Sequence, residues 1–407
     1  MWGAVTFAAL LTSFSALRPV RDALVLDGHP DQLPWLFLAT FTVVSVVSPI
    51  WSKLLVGRSR PAFVPMAFHA FAVCVLGFCL LAHVKPSSIV VGRVYYVWSA
   101  VFNLFVVSVF WSLLADLLGP GTARRLYGPI AAGGTVGTFV GPLLTRLLAG
   151  TIGIDGMLMM AALLLELAVL GVYRLRRAAV GLARDDTAEP DAPAGGGAFT
   201  GIAHVASSRY LSTIAGYVFC TATAATFMYL TQAKIVHDAL GGQVARTNYF
   251  ASIELWVAAI TFVLQTVIAA PALGRFGPGV VLAVLPLAQL AGISIVAAAP
   301  SLTALAIVQV ISKSATHGLT RPARELLFTV ISRDDKYRAK HAIDTIVYRF
   351  GDSGSSWAHK GLAAITAGSG ALVAAAAVLV AAWLGFAFVL GAAFRRRVTK
   401  RVTKEPS

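Results

Sequence analysis

Three residues near the start of the chain have the types and spacing to bind an anion. In Ser15–Leu26, which reads SALRPVRDALVL, Arg18, Arg21 and Asp22 stand between apolar Trp2–Leu17 and apolar Ala23–Leu26. A membrane-crossing helix needs about 20 predominantly apolar residues, and the run before Arg18 is shorter than that. The first span therefore has to include the charges. A charge inside a span is costly unless it faces protein or a watery cavity, so it marks a functional site. At helical periodicity Arg18, Arg21 (i+3) and Asp22 (i+4) share one face. That face is expected to line an aqueous, anion-attracting cavity. The competing account sets the three at the outer lipid interface, snorkelling to water. Arginines on a non-cytoplasmic end run against the positive-inside tendency, which favours the cavity.

The pattern returns later in the chain. RDAL at Arg21–Leu24 recurs as HDAL at His237–Leu240, 216 positions on, which sets Lys234 opposite Arg18 and Asp238 opposite Asp22. GRSRP from Gly57 is echoed by GRFGP from Gly274, 217 positions on. Lys234, His237 and Asp238 facing the first cluster across a cavity would make a strongly basic site. Phosphates and carboxylates suit such a site, because Arg forks around their oxygens and Lys acts as a point charge. Asp22 and Asp238 are expected to hold the bases in the empty state and release them when an anion binds. Two structural ion pairs at the outer helix ends are the alternative.

Other polar residues fall within apolar runs. Lys313, His317, Arg321 and Arg324 are spaced 4, 4 and 3, one face of a tenth helix. Lys313 and His317 are expected in the anion pathway; Arg321 and Arg324 approach the cytoplasmic end, near Glu325. An eleventh helix begins at Lys340 and His341 and carries Asp344, Tyr348 and Asp352 at i, i+4 and i+8, with Arg349 nearby. Acidic and basic groups there are candidate gate pairs that exchange as two halves rock. Asp344 and Glu254 (eighth helix) are candidates for proton coupling, since desolvation favours a protonated carboxyl. Arg93 is assigned to the cavity and Glu166 to a buried structural pairing. Gly133, Gly137 and Gly141 form GxxxGxxxG, which lets helix backbones approach closely, and Pro129 and Pro142 fit bending near that helix's ends. Tyr95, Tyr96 and Trp98 are read as packing residues, with stacking on a nucleobase the minority reading.

Composition agrees with a membrane protein. The 407 residues are 57% hydrophobic and 13% charged, with a mean hydropathy of +0.78; soluble chains carry about 25% charged residues. The net charge of +15 lies largely in short loops and in the tail Arg395–Lys404, where it orients the protein and meets anionic headgroups, so no nucleic-acid partner is expected. Cys74, Cys79 and Cys220 lie in apolar runs and read as small hydrophobes. No basic n-region precedes Trp2, so no cleaved signal peptide is expected.

Twelve apolar runs follow one another: 1–26, 33–56, 62–83, 88–118, 127–150 and 154–174, then 209–236, 246–273, 279–299, 301–328, 340–367 and 369–394. The predicted fold class is thus all-α, a polytopic membrane protein of twelve helices in two pseudo-symmetric halves. Its domains are 1–174, a linker 175–208 rich in charge, Pro and Gly, 209–394, and a basic tail 395–407. Lys53, Arg58 and Arg60, Arg124 and Arg125, Arg174–Arg184, Arg275, and Arg333–Lys340 all fall on even-numbered connections. Both termini and the linker are therefore expected in the cytoplasm, and the localisation in a bacterial inner (plasma) membrane.

The six-plus-six arrangement with a cytoplasmic linker resembles the major facilitator superfamily. More narrowly, LRPVRDALVL, Ala115–Leu144 (ADLLGPGTARRLYGPIAAGGTVGTFVGPLL) and Ile343–Trp357 (IDTIVYRFGDSGSSW) resemble the ATP/ADP nucleotide translocases of plastids and intracellular bacteria, and still more their uncharacterised bacterial relatives. The similarity spans most of the chain, with these three stretches distinctive. Two positions depart from the pattern: the superfamily's acidic signature after the second helix is reduced to GRSRP, and Arg21 stands where nucleotide translocases typically carry Lys. Fold carries over from such a resemblance more safely than substrate.

No GxxxxGK[ST], HExxH, CxxC pair or nucleophile elbow occurs, so no enzyme, catalytic residue, metal or cofactor is expected. The reading is a secondary transporter of a small organic anion, led by nucleotides and phosphorylated metabolites, working by alternating access and exchange. A proton-coupled carrier of another solute is the first alternative and a transport-inactive sensor or assembly partner the second. A monomer suffices for this architecture, the oligomeric state being left open by the sequence.

Overall fold

The computed structural model describes residues 1–55, 60–118, 120–179, 198–332, 335–336, 339–340, 342–365 and 369–402. Among these there is no strand. Several positions named above lie outside the described residues: Gly57–Ser59 of GRSRP (with Arg58), Arg184 and most of the linker, Arg333, Arg338, His341 and the end of the tail.

Helices form where apolar runs are long enough and end where the chain supplies a breaker. The first is α1 (Trp2–Val25), followed by α2 (Leu33–Leu55), α3 (Arg60–Val84) and α4 (Ile89–Leu117). Pro120–Ala179 is helical throughout except at Gly153, whose φ of 66° and ψ of −173° divide it into α5 (120–152) and α6 (154–179). A short connecting helix, Ala198–Ser207, precedes α7 (Arg209–Ala239). Gln243–Val263 runs through a π-helical turn at Leu264–Ile268 to Gly277, where a φ of 74° separates α8 (243–276) from α9 (278–298). Only glycine adopts these left-handed backbone angles cheaply, and both breaks fall in the gaps between expected spans. The chain continues as α10 (302–327), α11 (342–365) and α12 (Ser369–Val402). Ser301 starts α10 by accepting a hydrogen bond from the Ala304 amide at 3.2 Å.

Eight continuous helical stretches among the described residues are long and apolar enough to cross a membrane, two of them the pairs fused at Gly153 and Gly277. The spans that fall short are α10 and α11. Each of the two contains a π-helical turn, at Thr316–Thr320 and at Ala342–Val347. Such turns add one residue to a helical turn and occur often at functional sites.

The chain forms two compact units, Met1–Pro190 with Leu240–Leu255, and Asp191–Ala239 with Trp256–Ser407. In the first, α5 approaches the α1 backbone closely. A Cβ built on Gly133 would sit 2.3 Å from the Ala4 carbonyl oxygen, and one on Gly137 2.4 Å from that of Ala8. Gly141 meets Ser15 and Thr12 in the same way. The close approach expected of GxxxGxxxG is therefore real, and Ser13 adds a hydrogen bond to the Ala161 carbonyl of α6 at 2.8 Å. Gly92 plays a similar part on α4, where a Cβ would lie 2.5 Å from the Leu24 carbonyl oxygen.

The second unit packs α7 against α11 and α12, and α9 against α12, where Gly279 and Gly391 touch through their backbones. The buried hydroxyls of Tyr210 and Tyr217 donate to the Leu327 and Leu282 carbonyls at 2.9 and 2.8 Å. The two units share a detail. Arg174 at the end of α6 lies over the Trp2 ring at the start of α1, and Arg397 near the end of α12 lies over Tyr210 at the start of α7.

Two expectations change. Glu166 is not buried: its side chain is 42% exposed and bonds His69 of α3 at 2.9 Å. The linker region is helical at its end, Ala198–Ser207, where Val205 is buried and His204 meets Asp335 at 2.9 Å.

Candidate functional site

The last two turns of α1 gather the densest polar cluster of the first unit. Arg21 donates from both Nε and Nη2 to a single oxygen of Asp22, at 2.9 and 2.6 Å. The carboxylate is 8% exposed and the Arg21 side chain 22%, a charge-assisted pair with one buried partner. The Arg21 guanidinium lies 5.4 Å from the centroid of the Tyr96 ring on α4, a cation–π contact. Tyr96 in turn meets Phe37 of α2 edge-on. Asp22 thus holds one base of its cluster, Arg21, while Arg18 has another partner.

That partner is Glu254, at 3.1 Å, with side chains 35% and 10% exposed. Glu254 belongs to the stretch Leu240–Leu255 that groups with the first unit. The same stretch supplies residues that the sequence reading passed over. Arg246, buried, donates to the Leu26 carbonyl at 2.8 Å and the Leu240 carbonyl at 3.0 Å, and stands 3.5 Å from Asp27. Gln243, itself 216 positions after Asp27, also donates to the Asp27 carboxylate. The end of α1 is thus tied to the start of α8 by a buried clasp. Its signal in the sequence was a lone Arg within an apolar run, the same criterion that picked out Arg18. Arg93 is half-buried on α4, its guanidinium close to Gly28 just beyond α1.

In the second unit Lys234 and Asp238 are exposed at the end of α7, with His237 half-buried between them. His359 of α11 lies within electrostatic reach of Lys234 and stands edge-on to Phe227 at 5.0 Å. On α10 the π-turn rotates His317 and the residues after it relative to Lys313, so the expected single face is broken. Gln265, in the π-turn of α8, donates to the His317 carbonyl at 3.0 Å. On α11, Asp344 lies in the π-turn and pairs with Arg324 at 3.0 Å, while Glu325 pairs with Lys340 at 2.8 Å. Asp352 is buried, accepts from the Thr226 hydroxyl at 3.1 Å and has Arg349 at 3.9 Å. A buried ladder of carboxamides joins α7, α9 and α10. Gln309 donates to Gln232 at 2.8 Å, and Ser312 to Gln289 at 3.2 Å; neutral side chains of this kind carry no charge signal, and the sequence reading missed them.

Basic groups held by carboxylates within apolar helices are a means of binding anions reversibly. The family model described as TLC ATP/ADP transporter matches residues 283–394. No curated protein sequence matches the chain. Solved structures match nearly end to end. The nucleoside transporter NupG (D323A mutant) aligns at a TM-score of 0.63 and 11% identity over 97% of this chain and 98% of its own. The POT family transporter PepTSo aligns at 0.64 and 12% over 99% and 98%. A bacterial homologue of the iron transporter ferroportin aligns at 0.59 and 11% over 97% and 96%.

The chain has the major facilitator fold.

At such identities the solved structures speak for the fold alone. Family and structural neighbours are transporters and not enzymes. The matched segment 283–394 begins within α9 and ends in α12. It contains Lys313, His317, Asp344, Arg349 and Asp352, while Arg18, Arg21, Asp22, Arg93, Lys234, His237, Asp238 and Glu254 precede it.

Proposed function

We propose that this transporter exchanges small organic anions across the membrane by alternating access, with nucleotides or other phosphorylated metabolites as the leading substrates. The observation that carries the reading is the Arg21–Asp22 pair. Arg21 is partly exposed while Asp22 is buried, so an anion entering from solvent can compete with Asp22 for the guanidinium. Two donors converging on one oxygen at 2.9 and 2.6 Å suit a phosphate or carboxylate oxygen equally well. The resemblance of residues 283–394 to ATP/ADP transporters supports a nucleotide. Arg18, Lys234, Lys313 and His317 are the further basic groups of the pathway, with Arg93 and His237 supporting them and Asp238 repeating the part of Asp22. Arg349 and Asp352 serve as a gate pair.

The same reading puts 1–174 and 209–394 as the two halves, joined by the linker 175–208. Both termini lie in the cytoplasm of a bacterial inner membrane, where the tail 395–407 meets anionic lipid. It is supported by the basic residues on even-numbered connections.

Counterflow in proteoliposomes tests it. Vesicles preloaded with unlabelled ATP, ADP, phosphate or a dicarboxylate are offered labelled ATP. Uptake driven by internal nucleotide, and lost in Arg21→Ala, is the expected result. Movement of a different anion would retain exchange and discard the nucleotide; no movement of any would overturn the exchanger.

A proton-coupled carrier is the second reading, favoured by carboxylates within the spans: Glu254, with its side chain 10% exposed, and Asp344. In that case Glu254→Gln or Asp344→Asn would still exchange substrate yet fail to accumulate it against a gradient. Unchanged accumulation removes that residue from coupling.

A further inference from the structure

His69 of α3 and Glu166 of α6 meet at 2.9 Å on the surface of the first unit, with side chains 47% and 42% exposed. Both lie in stretches long and apolar enough to cross a membrane, Phe63–Val84 and Arg125–Ala179. Each stands in the middle of an exposed apolar strip. On α3, Met66 and Val73 flank His69 one turn to either side; on α6, Leu163 and Leu170 flank Glu166 in the same way, and all four are exposed. A pair so placed faces hydrocarbon while the chain is alone. Ionisable groups within spans almost always face protein or a watery cavity, and the bond between these two leaves close to half of each side chain uncovered.

Gly77 lies on the same exposed face of α3. A Cβ there would meet nothing within 4 Å, so no close packing within the chain requires a residue that costs a helix about 1 kcal/mol relative to Ala. Gly133, Gly137 and Gly141 differ, each being pressed against α1. Ala70 and Cys74, seven and three positions before Gly77, are exposed as well, and small residues spaced along one face let another helix come close.

We propose that this face of α3 and α6 is the interface of a dimer with a second copy of the chain. Charge decides the occupant. A two-fold axis along the membrane normal sets α3 of each copy opposite α6 of the other, at the same depth. It brings His69 to Glu166 of the second copy and Glu166 to the second copy's His69. Because the two lie side by side at one level, both meet their opposites at once, and two half-covered pairs become one four-membered polar cluster shielded from lipid. A face of one sign would repel its own copy; this one complements itself. The small residues of α3 let the backbones approach closely enough for those side chains to touch. The inference is independent of the substrate and of exchange.

Two differently tagged copies are expressed together and extracted with their lipid into polymer-bounded discs, and capture through one tag is scored for the other. The parent should capture itself well above the level set by an unrelated tagged membrane protein. His69→Glu and Glu166→His each remove the opposite-charge contacts across the axis. Each variant should capture its own kind about tenfold less than the parent does, whereas the two variants expressed together should capture one another at the parent's level. A parent that captures no second copy, or variants that capture their own kind as the parent does, overturn the proposal. Gly77→Leu decides the matter if those variants do not fold. Its side chain enters open space, so the unfolding midpoint should hold while self-capture falls severalfold; unchanged self-capture overturns the interface.

Discussion

Asp22 and Asp238 occupy corresponding places 216 residues apart, and the structure treats them in opposite ways. Asp22 is buried in its own unit and bonded by Arg21, whose guanidinium lies over the Tyr96 ring of α4. Asp238 and its neighbour Lys234 are exposed at the end of α7. The difference begins in the packing, not in the repeated motif. Around α1, Gly92, Gly133, Gly137 and Gly141 bring two neighbouring helices to backbone contact. At the end of α7, a Cβ on Gly241 would meet nothing within 4 Å. Two stretches that match in sequence thus differ in burial: the Asp22 side chain is 8% exposed in its pair with Arg21, while Asp238 is exposed.

The largest effect should come from removing the base that Asp22 holds. Arg21→Ala leaves a buried carboxylate without its two donors, worth about 3–5 kcal/mol, and should lower the unfolding midpoint sharply while abolishing counterflow. Lys234→Ala should abolish counterflow with the midpoint nearly unmoved, since exposed charges contribute about 0–1 kcal/mol. Equal losses of stability in the two variants would erase the distinction. Next comes the packing that creates it. Gly92→Ala forces a methyl to 2.5 Å from the Leu24 carbonyl oxygen, a backbone atom that cannot step aside, and should cost about 1–3 kcal/mol. Gly241→Ala, read in the same assay, should be silent. The smallest contrast is between the carboxylates themselves. Asp22→Asn keeps an acceptor for Arg21 but loses the charge, about 1 kcal/mol or somewhat more; Asp238→Asn should fall within about 0.5 kcal/mol of the parent.

Much of this was legible beforehand. Charges in apolar runs picked out Arg18, Arg21, Asp22 and Glu254, glycine spacing marked the α1–α5 seam, and the gaps at 150–154 and 273–279 anticipated breaks at Gly153 and Gly277. Partner choice was not legible. Arg18 takes Glu254, 236 residues away, because the start of α8 lies against the end of α1, and no local pattern encodes that. Arg246 was passed over although it met the same criterion as Arg18. The π-turns escaped for a different reason: hydrophobic periodicity is the same on either side of one inserted residue, so the equal spacing of Lys313, His317 and Arg321 promised a face that Thr316–Thr320 interrupts. Glu166 was judged by its charge alone, and His69, across the seam from α3, supplies its partner without burying it.

Gly153 and Gly277 interrupt otherwise continuous helices at points where an added side chain would touch nothing within 4 Å. Their backbone is already turned away from helical geometry, so a short peptide spliced in at either place displaces no packed side chain. Under the orientation proposed above, the first turn lies outside the cytoplasm and the second within it. A peptide epitope carried at 153 would then be stained by antibody on intact spheroplasts, whereas the same epitope at 277 would be stained only after permeabilisation. These two breaks in the helices are ready-made flags for the sidedness of the whole protein.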